Sequence, residues 1–392
     1  MQKKHFTITI AGAGGIGRAV GLMLVELADF DCTLYIGDQS LSTAREAAGW
    51  IEQGSDKPAE VQAFEIDPAN NNESLIKAVA ASHILLDCLP GSQAFRMGSL
   101  AHTYNKHYVN LTEHVEATNR LIELSKTSTS AFVLQAGLAP GFINILAHRL
   151  FKQFCKTHKV DQVDYVGMKV GALSQHAAAP HFYGFTWSTV GVATEYLKDA
   201  VVVKDYQKTS IPSLSENETI VIDGITYECN YTSGGAADLP EALAGKTKNL
   251  NYKTLRYPGH YKWVEGLLKN APKAGDKIDY LEKEMKKVVP SVEDDVVIIH
   301  AMVNGPNSSG NLFQVEKAFS IKPVKIGKRT LRAIQSTTAA PMAECARMVL
   351  LGNYKGTVFQ SHIDDETFMN GPFVKKIYFD KNQPVPKLQL QE

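Results

Sequence analysis

A chain of 392 residues, 44% hydrophobic and 21% charged, is long enough for two or three domains, each burying its own core. A formal net charge of +0 gives no long-range pull towards nucleic acid or an anionic membrane. No apolar run reaches the roughly 18 residues of a membrane span, and no secretory h-region follows Met1. The five scattered cysteines form no C-x-x-C pair, so they read as reduced thiols rather than a disulfide framework or a zinc site. The expectation is a cytoplasmic protein handling a small molecule.

In chain order, Phe6 to Ile10 reads as a β-branched strand running into Gly12-Ala13-Gly14-Gly15-Ile16-Gly17, with a helix following to about Leu27. Gly12, Gly14 and Gly17 fit G-x-G-x-x-G: a tight turn, close approach to a pyrophosphate, and close packing of helix on strand. Unpaired N–H groups at the helix start suit a phosphate. A second strand, Cys32 to Gly37, ends at Asp38, about twenty residues past the last glycine, where a dinucleotide site places the acid for the ribose hydroxyls. Asp38 repels a 2′-phosphate, and Gln39-Ser40 bring no compensating charge, so NAD is expected over NADP.

The alternation continues with a strand Val61–Ile66 ending at Asp67, a helix 72–80, a strand 84–88, a helix 92–104, a short strand 108–110, a helix 114–125 and a strand 131–134. This rhythm predicts an α/β fold: a Rossmann-type doubly wound parallel sheet over residues 1–140. Ligands of such sheets bind beyond the carboxyl ends of the strands. That rule marks Asp67 for the adenine, Cys88-Leu89-Pro90 for the nicotinamide end, and Gly137 as a further cofactor contact, with plain loop chemistry as the alternative for each. The turn Gly137-Leu138-Ala139-Pro140-Gly141 leads out of this domain.

Residues 141–335 lose the alternation and are expected to form an inserted α+β substrate-binding and dimerisation domain, with an Asp223-Gly224 hairpin and an antiparallel pair near 296–321. Residues 336–392 are expected to return to the first domain through a helix with Pro341 in its first turn, and to end in a loosely ordered tail after Asp380.

Four clusters can carry chemistry. Glu113-His114 either handles a proton or simply caps a helix. Trp187 either walls a pocket or fills a core. Gly234-Gly235 either lets a ligand approach or ends a strand. Arg256 and His260 flank a proline turn, where an arginine is the natural bidentate partner of a carboxylate but is also an ordinary surface residue. His176 and His181 match no metal spacing, so no metal is expected.

Taken together, the motifs resemble the saccharopine dehydrogenase-like superfamily, above all its short lysine 6-dehydrogenase and saccharopine dehydrogenase members. The resemblance rests on Ile10 to Gly17, Tyr108-Val109-Asn110-Leu111, Gly137 to Leu146, Pro212 to Glu216, Thr232 to Gly235, and Lys253-Thr254-Leu255-Arg256-Tyr257-Pro258-Gly259-His260. Asn110 departs from the Asp that is common after the Tyr-Val pair. The stretch Phe185 to Val192 looks more like the saccharopine and carboxynorspermidine branches. The resemblance implies NAD-dependent oxidation of the CH–NH group of a lysine-derived amino acid in a homodimer. It implies His260, His114 or Glu113 as base, Arg256 on the substrate carboxylate, and Trp187, Gly234 and Gly235 lining the pocket. The alternatives are reductive coupling of the carboxynorspermidine dehydrogenase type, or a dinucleotide-binding regulator without turnover.

Overall fold

The computed structural model describes residues 3–112, 115–272 and 275–380. The chain forms two compact units: residues up to Phe142 with Val324–Leu331 and Gln335–Asp380, and Ile143–Pro323 with Arg332–Ile334. The hairpin Val324–Ile326 with Arg329–Leu331, expected in the middle domain, belongs to the first unit. Among the described residues no helix is long and apolar enough to cross a membrane.

In the first unit, β1 (His5–Ala11), β2 (Asp31–Asp38), β3 (Glu60–Glu65), β4 (Ile84–Asp87), β5 (His107–Asn110) and β6 (Ala131–Val133) alternate with helices α1 (Gly15–Leu27), α2 (Leu41–Gly54), α3 (Glu73–Ala81), α4 (Ala94–Thr103) and α5 (Val115–Ser125). A further strand, Gly356–Val358, pairs with β6, and the sheet runs Gly356–Val358, β6, β5, β4, β1, β2, β3, every pair parallel. A parallel sheet is covered on both faces, and the central strands are the most buried: all four residues of β4 are buried. On one face Leu75, Met97, Leu100 and Leu121 from α3, α4 and α5 pack on Leu85, Tyr108 and Phe132. Chain order reverses between β1 and β4, which makes the carboxyl end of β1 the topological switch point.

The second unit holds a mixed sheet in the order β10-β11-β12-β7-β13-β14, with β8 pairing β12 and β9. Its strands are β7 (Val163–Ser174), β8 (Ala200–Lys204), β9 (Gln207–Ile211), β10 (Glu218–Ile222), β11 (Ile225–Tyr231), β12 (Thr247–Arg256), β13 (Asp295–Pro306) and β14 (Leu312–Ile321), and its helices include α6 (Phe142–His158, entered from the first unit), α7 (Thr189–Leu197), α8 (Leu239–Leu243), α9 (His260–Lys269) and α10 (Lys277–Val288). Between β10 and β11, Asp223 (φ 50°) and Gly224 (φ 80°) are both left-handed, the two-residue turn the Asp-Gly pair predicts. A second core gathers Tyr183, Phe185, Val192, Tyr196, Tyr261, Val264, Leu281 and Met285.

One expectation is corrected. Pro341 lies inside helix α11 (Ala333–Leu351), not in its first turn. The helix starts earlier because Asp295, 38 residues upstream, accepts the backbone N–H groups of Ala333 and Ile334, both at 2.7 Å. The tail expected to be loosely ordered, 381–392, lies outside the described residues, as do Glu113 and His114.

Candidate functional site

The switch point shows three glycines doing three jobs. Gly12 sits at φ 102°, and a Cβ there would lie 2.8 Å from the Cys88 carbonyl oxygen, so only glycine makes the turn. A Cβ on Gly17 would stand 1.8 Å from the Gly12 carbonyl oxygen; helix α1 touches the loop backbone there. Gly14 is the opposite case: a Cβ would meet nothing within 4 Å. No side chain caps α1 at Gly14, so its first N–H groups keep their partial positive charge for an anion. That open cradle fits a diphosphate.

Asp38 lies beside it at the end of β2. Its Oδ2 accepts the Ala13 N–H at 3.1 Å and its Oδ1 the Ser40 N–H at 3.3 Å, so one carboxylate joins the glycine loop to the start of α2. The Gly12 N–H donates to the Gly37 carbonyl at 2.8 Å and the Cys88 N–H to that of Ala11 at 2.8 Å, drawing the ends of β1, β2 and β4 together. Gln39 is exposed. Gly15 and Ile16 open α1.

The other expected contacts lie on the same edge of the parallel sheet, with differing occupations. Asp67 turns into its own loop, accepting the N–H groups of Ala69 (2.7 Å) and Asn70 (3.1 Å), which lowers its pKa. Cys88 and Leu89 are half-buried and Pro90 is exposed. Leu89 is tied by its N–H to Asp87 at 3.0 Å. Asp87, pushed up to about 6 by burial, accepts the Tyr108 hydroxyl at 2.7 Å. Asn110 is buried; its amide donates to the Tyr108 hydroxyl (3.3 Å) and accepts the Gln135 N–H (2.9 Å), so it fastens β5 to the loop that carries Gly137. Gly137 accepts the Phe142 N–H at 2.8 Å and donates to Pro140 at 3.0 Å, closing a tight turn.

In the second unit, β12 brings Arg256 to α7 and the start of α9. Arg256 is 1% exposed. Its Nη2 donates to Glu195 at 2.7 Å, its Nε to the Tyr196 hydroxyl at 2.6 Å and its Nη1 to the Leu255 carbonyl at 2.9 Å, and its guanidinium lies 4.7 Å from the centre of the Tyr183 ring. The Tyr196 hydroxyl donates onward to His260 Nε2 at 2.9 Å, and His260 Nδ1 donates to the His181 carbonyl at 2.7 Å. A carbonyl only accepts, so the imidazole is the neutral Nδ1–H tautomer. Burial, then the Arg256 charge, pushes the His260 pKa down to about 3. Both nitrogens are occupied and the ring is 0% exposed. The arrangement therefore holds Arg256 and His260 in a buried hydrogen-bonded chain, where the carboxylate on the guanidinium is Glu195.

That chain has a pH signature. His260 takes up its proton near 6.5 when unfolded but only near 3 when folded, so its contribution to stability is present above pH 6.5 and lost as pH falls. Between pH 7 and 4.5 this costs about 2–3 kcal/mol. Urea midpoints at the two pH values should show a smaller acid loss in His260→Gln by that amount; equal losses would refute the assignment.

Trp187 is half-buried and packs on Gly191, where a Cβ would lie 2.4 Å from its ring. Gly234 is left-handed (φ 90°). Gly235 lies against the Tyr252 ring, and its carbonyl accepts the Asn144 amide at 3.0 Å. Among the described residues no group of three His, Cys, Asp or Glu is placed to hold a metal ion. The sequence reading missed Glu195, although a carboxylate between Ala193 and Tyr196 on a buried helix face signals a buried cation. It also missed Lys253, fully buried with its Nζ 2.7 Å from Glu218.

Comparison with known proteins agrees with this architecture. Residues 8–135 match the family described as saccharopine dehydrogenase NADP binding domain, and residues 137–377 the saccharopine dehydrogenase C-terminal domain. The fold is similar to that of saccharopine dehydrogenase (L-Glu forming) from Saccharomyces cerevisiae, at 14% identity and TM-score 0.73, covering 95% of this chain and 98% of that one. It is also similar to that of a homospermidine synthase from Legionella pneumophila in complex with NAD, at 14% identity and TM-score 0.65, covering 100% and 97%. The chain belongs to the saccharopine dehydrogenase family, with an NAD(P)-binding domain of the Rossmann type.

Proposed function

We propose that this protein is a dehydrogenase acting on the CH–NH group of a lysine-derived amino acid, of the saccharopine dehydrogenase or lysine 6-dehydrogenase type, working in the cytoplasm with NAD in preference to NADP. The observation that carries the reading is the pairing of the open Gly14 cradle with the Asp38 carboxylate at the tip of β2. Gly12 to Gly17 would hold the diphosphate, Asp38 the adenosine ribose, and Leu89-Pro90 and Gly137 would flank the nicotinamide. The nicotinamide, when bound, accepts the hydride from the carbon beside nitrogen. Glu113 and His114 are assigned the proton transfers, since His260 is sequestered. Trp187, Gly234 and Gly235 are assigned to the amino-acid side of the reaction.

A second reading, reductive coupling of an amine as in carboxynorspermidine formation, is supported by Trp187, whose half-exposed ring suits a cationic amine. The test is formation of reduced nicotinamide with saccharopine, lysine, ornithine and carboxynorspermidine. Turnover of none of them, with the dinucleotide bound, would leave the regulator reading in its place.

Cofactor choice has its own measurement. NADH should bind at least about tenfold more tightly than NADPH, because a 2′-phosphate would meet the Asp38 carboxylate. Asp38→Ser should erase that preference, chiefly by weakening NADH. NADPH binding as tightly as NADH to the unaltered protein would overturn the assignment.

A further inference from the structure

Asp87 is the last residue of β4 and lies at the switch point, with Ala11 of β1 and Asn110 of β5 as its register partners. The next residue, Cys88, donates its N–H to the Ala11 carbonyl and sets its own carbonyl against Gly12, so this strand end abuts the glycine loop. Asp87 is 3% exposed, and its Oδ1 accepts the Leu89 N–H at 3.0 Å, which sets the carboxyl against the backbone of the Leu89-Pro90 turn. The Tyr108 hydroxyl lies between two acceptors, Asp87 Oδ2 at 2.7 Å and the Ala94 carbonyl at 3.1 Å, and has one proton to give. With Asp87 ionised, that proton goes to Asp87. With Asp87 protonated, the carboxyl donates to the phenol and the phenol turns to Ala94. Both states are satisfied with no heavy atom displaced.

The groups that face Asp87 leave its charge poorly compensated. From α4 comes Arg96, but its Nε donates to Gln93 at 2.9 Å and its Nη1 to the Asn70 carbonyl at 2.7 Å, and its field is shared with Asp67. Tyr108 from β5 and Cys88 from the turn are kept neutral by burial, which raises their pKa values; β1 brings the uncharged Ala11. Among the described residues Arg96 is the only cation that bears on Asp87, and it makes no ion pair with it. An anion buried on those terms gains from any positive charge placed near it. We propose that Asp87 is the residue by which this protein tells oxidised from reduced dinucleotide: its carboxylate is the counter-charge of the oxidised nicotinamide ring, whose positive charge the reduced ring lacks. The inference rests on the dinucleotide reading above, in which Leu89-Pro90 flanks the nicotinamide. Linkage works in both directions. The ionised carboxyl favours the oxidised form, and binding of the oxidised form expels a proton from Asp87. Burial pushes that carboxyl up to about 6, so discrimination is full above about pH 7 and fades as pH falls through about 6.

The test is direct titration of the full chain with NAD⁺ and with NADH at about pH 8 and about pH 5.5, with melting curves confirming that each variant folds. The ratio of the two dissociation constants cancels what the diphosphate and the riboses feel. An interaction of about one pKa unit is about tenfold. On that scale NAD⁺ should weaken about threefold relative to NADH between the higher and the lower pH. Calorimetry in buffers of different ionisation enthalpy should show about half a proton released per NAD⁺ bound at the lower pH, and none per NADH. Asp87→Asn is the fixed neutral form: its carbonyl still accepts the Leu89 N–H and its amide donates to Tyr108. It should weaken NAD⁺ about tenfold at the higher pH, leave NADH within about twofold, and abolish the pH dependence of the ratio. Tyr108→Phe removes the hydrogen bond that favours the ionised carboxyl, so the ratio should shift at a higher pH. A ratio indifferent to pH would overturn the proposal, as would Asp87→Asn weakening NADH as much as NAD⁺, which would make Asp87 a support of the turn; in both cases the dinucleotide site itself stands. Failure of both forms to bind the unaltered protein would remove the site and the proposal together.

Discussion

Glu195→Gln should destabilise the second unit by about 3–5 kcal/mol, the range seen when a buried ion pair loses one partner. Arg256 cannot shed its proton; with a neutral amide in place of the carboxylate at 2.7 Å its charge stays buried without a counter-charge, beside Tyr196, the Leu255 carbonyl and the Tyr183 ring. The reciprocal change should be milder. In Arg256→Met, Glu195 is left without its cation, but burial already holds its carboxyl up at about 7, so it takes up a proton and stays neutral. A loss of about 1–2 kcal/mol is expected there, and the double variant Glu195→Leu, Arg256→Met should recover most of the Glu195→Gln deficit. Urea unfolding at pH 7 reads all three. If Arg256→Met proves as costly as Glu195→Gln, the buried charge is not the dominant cost, and the packing of the arginine stem on the tyrosines is.

The second large effect separates two glycines of one motif. In Gly17→Ala the new methyl group would stand 1.8 Å from the Gly12 carbonyl oxygen, which is backbone and cannot swing aside. Helix α1 must lift from the loop, at about 3 kcal/mol, near the upper end of ordinary overpacking. The melting temperature should fall by roughly 6–12 °C, and dinucleotide binding should be lost because the helix start moves. Gly14→Ala adds its methyl group to open space. Its melting curve without dinucleotide should match the unaltered protein within about 2 °C, while dinucleotide affinity falls at least about tenfold because the cradle is filled. Equal affinity in Gly14→Ala would mean that the diphosphate lies elsewhere.

The contrast shows why some of this site could be read from the sequence and some not. The glycine spacing is a local signal: the turn, the strand before it and the helix after it are contiguous, and so is Asp38 at the next strand end. The Asp-Gly hairpin is legible for the same reason. Arg256 announces itself as a residue needing an anion, but its anion is 61 residues away on α7, and nothing in spacing says whether that anion is a ligand or the protein itself. The start of α11 was misplaced for an equivalent reason, since its cap is Asp295 from another element. β9 reads Gln-Lys-Thr-Ser-Ile, almost wholly exposed, and offers no apolar alternation. The strand Gly356–Val358 is too short to signal itself. In α2 the stripe consists mainly of alanines, Ala44, Ala47 and Ala48, with Ile51, which carries little periodic contrast.

The outer strand Gly356–Val358 has a practical corollary for anyone recombining relatives of this protein. A chimera spliced near residue 136 looks natural on paper, because one family match ends at 135 and the next begins at 137. Yet that splice would transplant a strand of the nucleotide-binding sheet from the donor along with the other half, and would seat it on a β6 it did not co-evolve with. A graft that respects the folded object treats Ile143–Pro323 together with Arg332–Ile334 as the cassette, so that Asp295 keeps the helix start it caps, and leaves the rest with its owner.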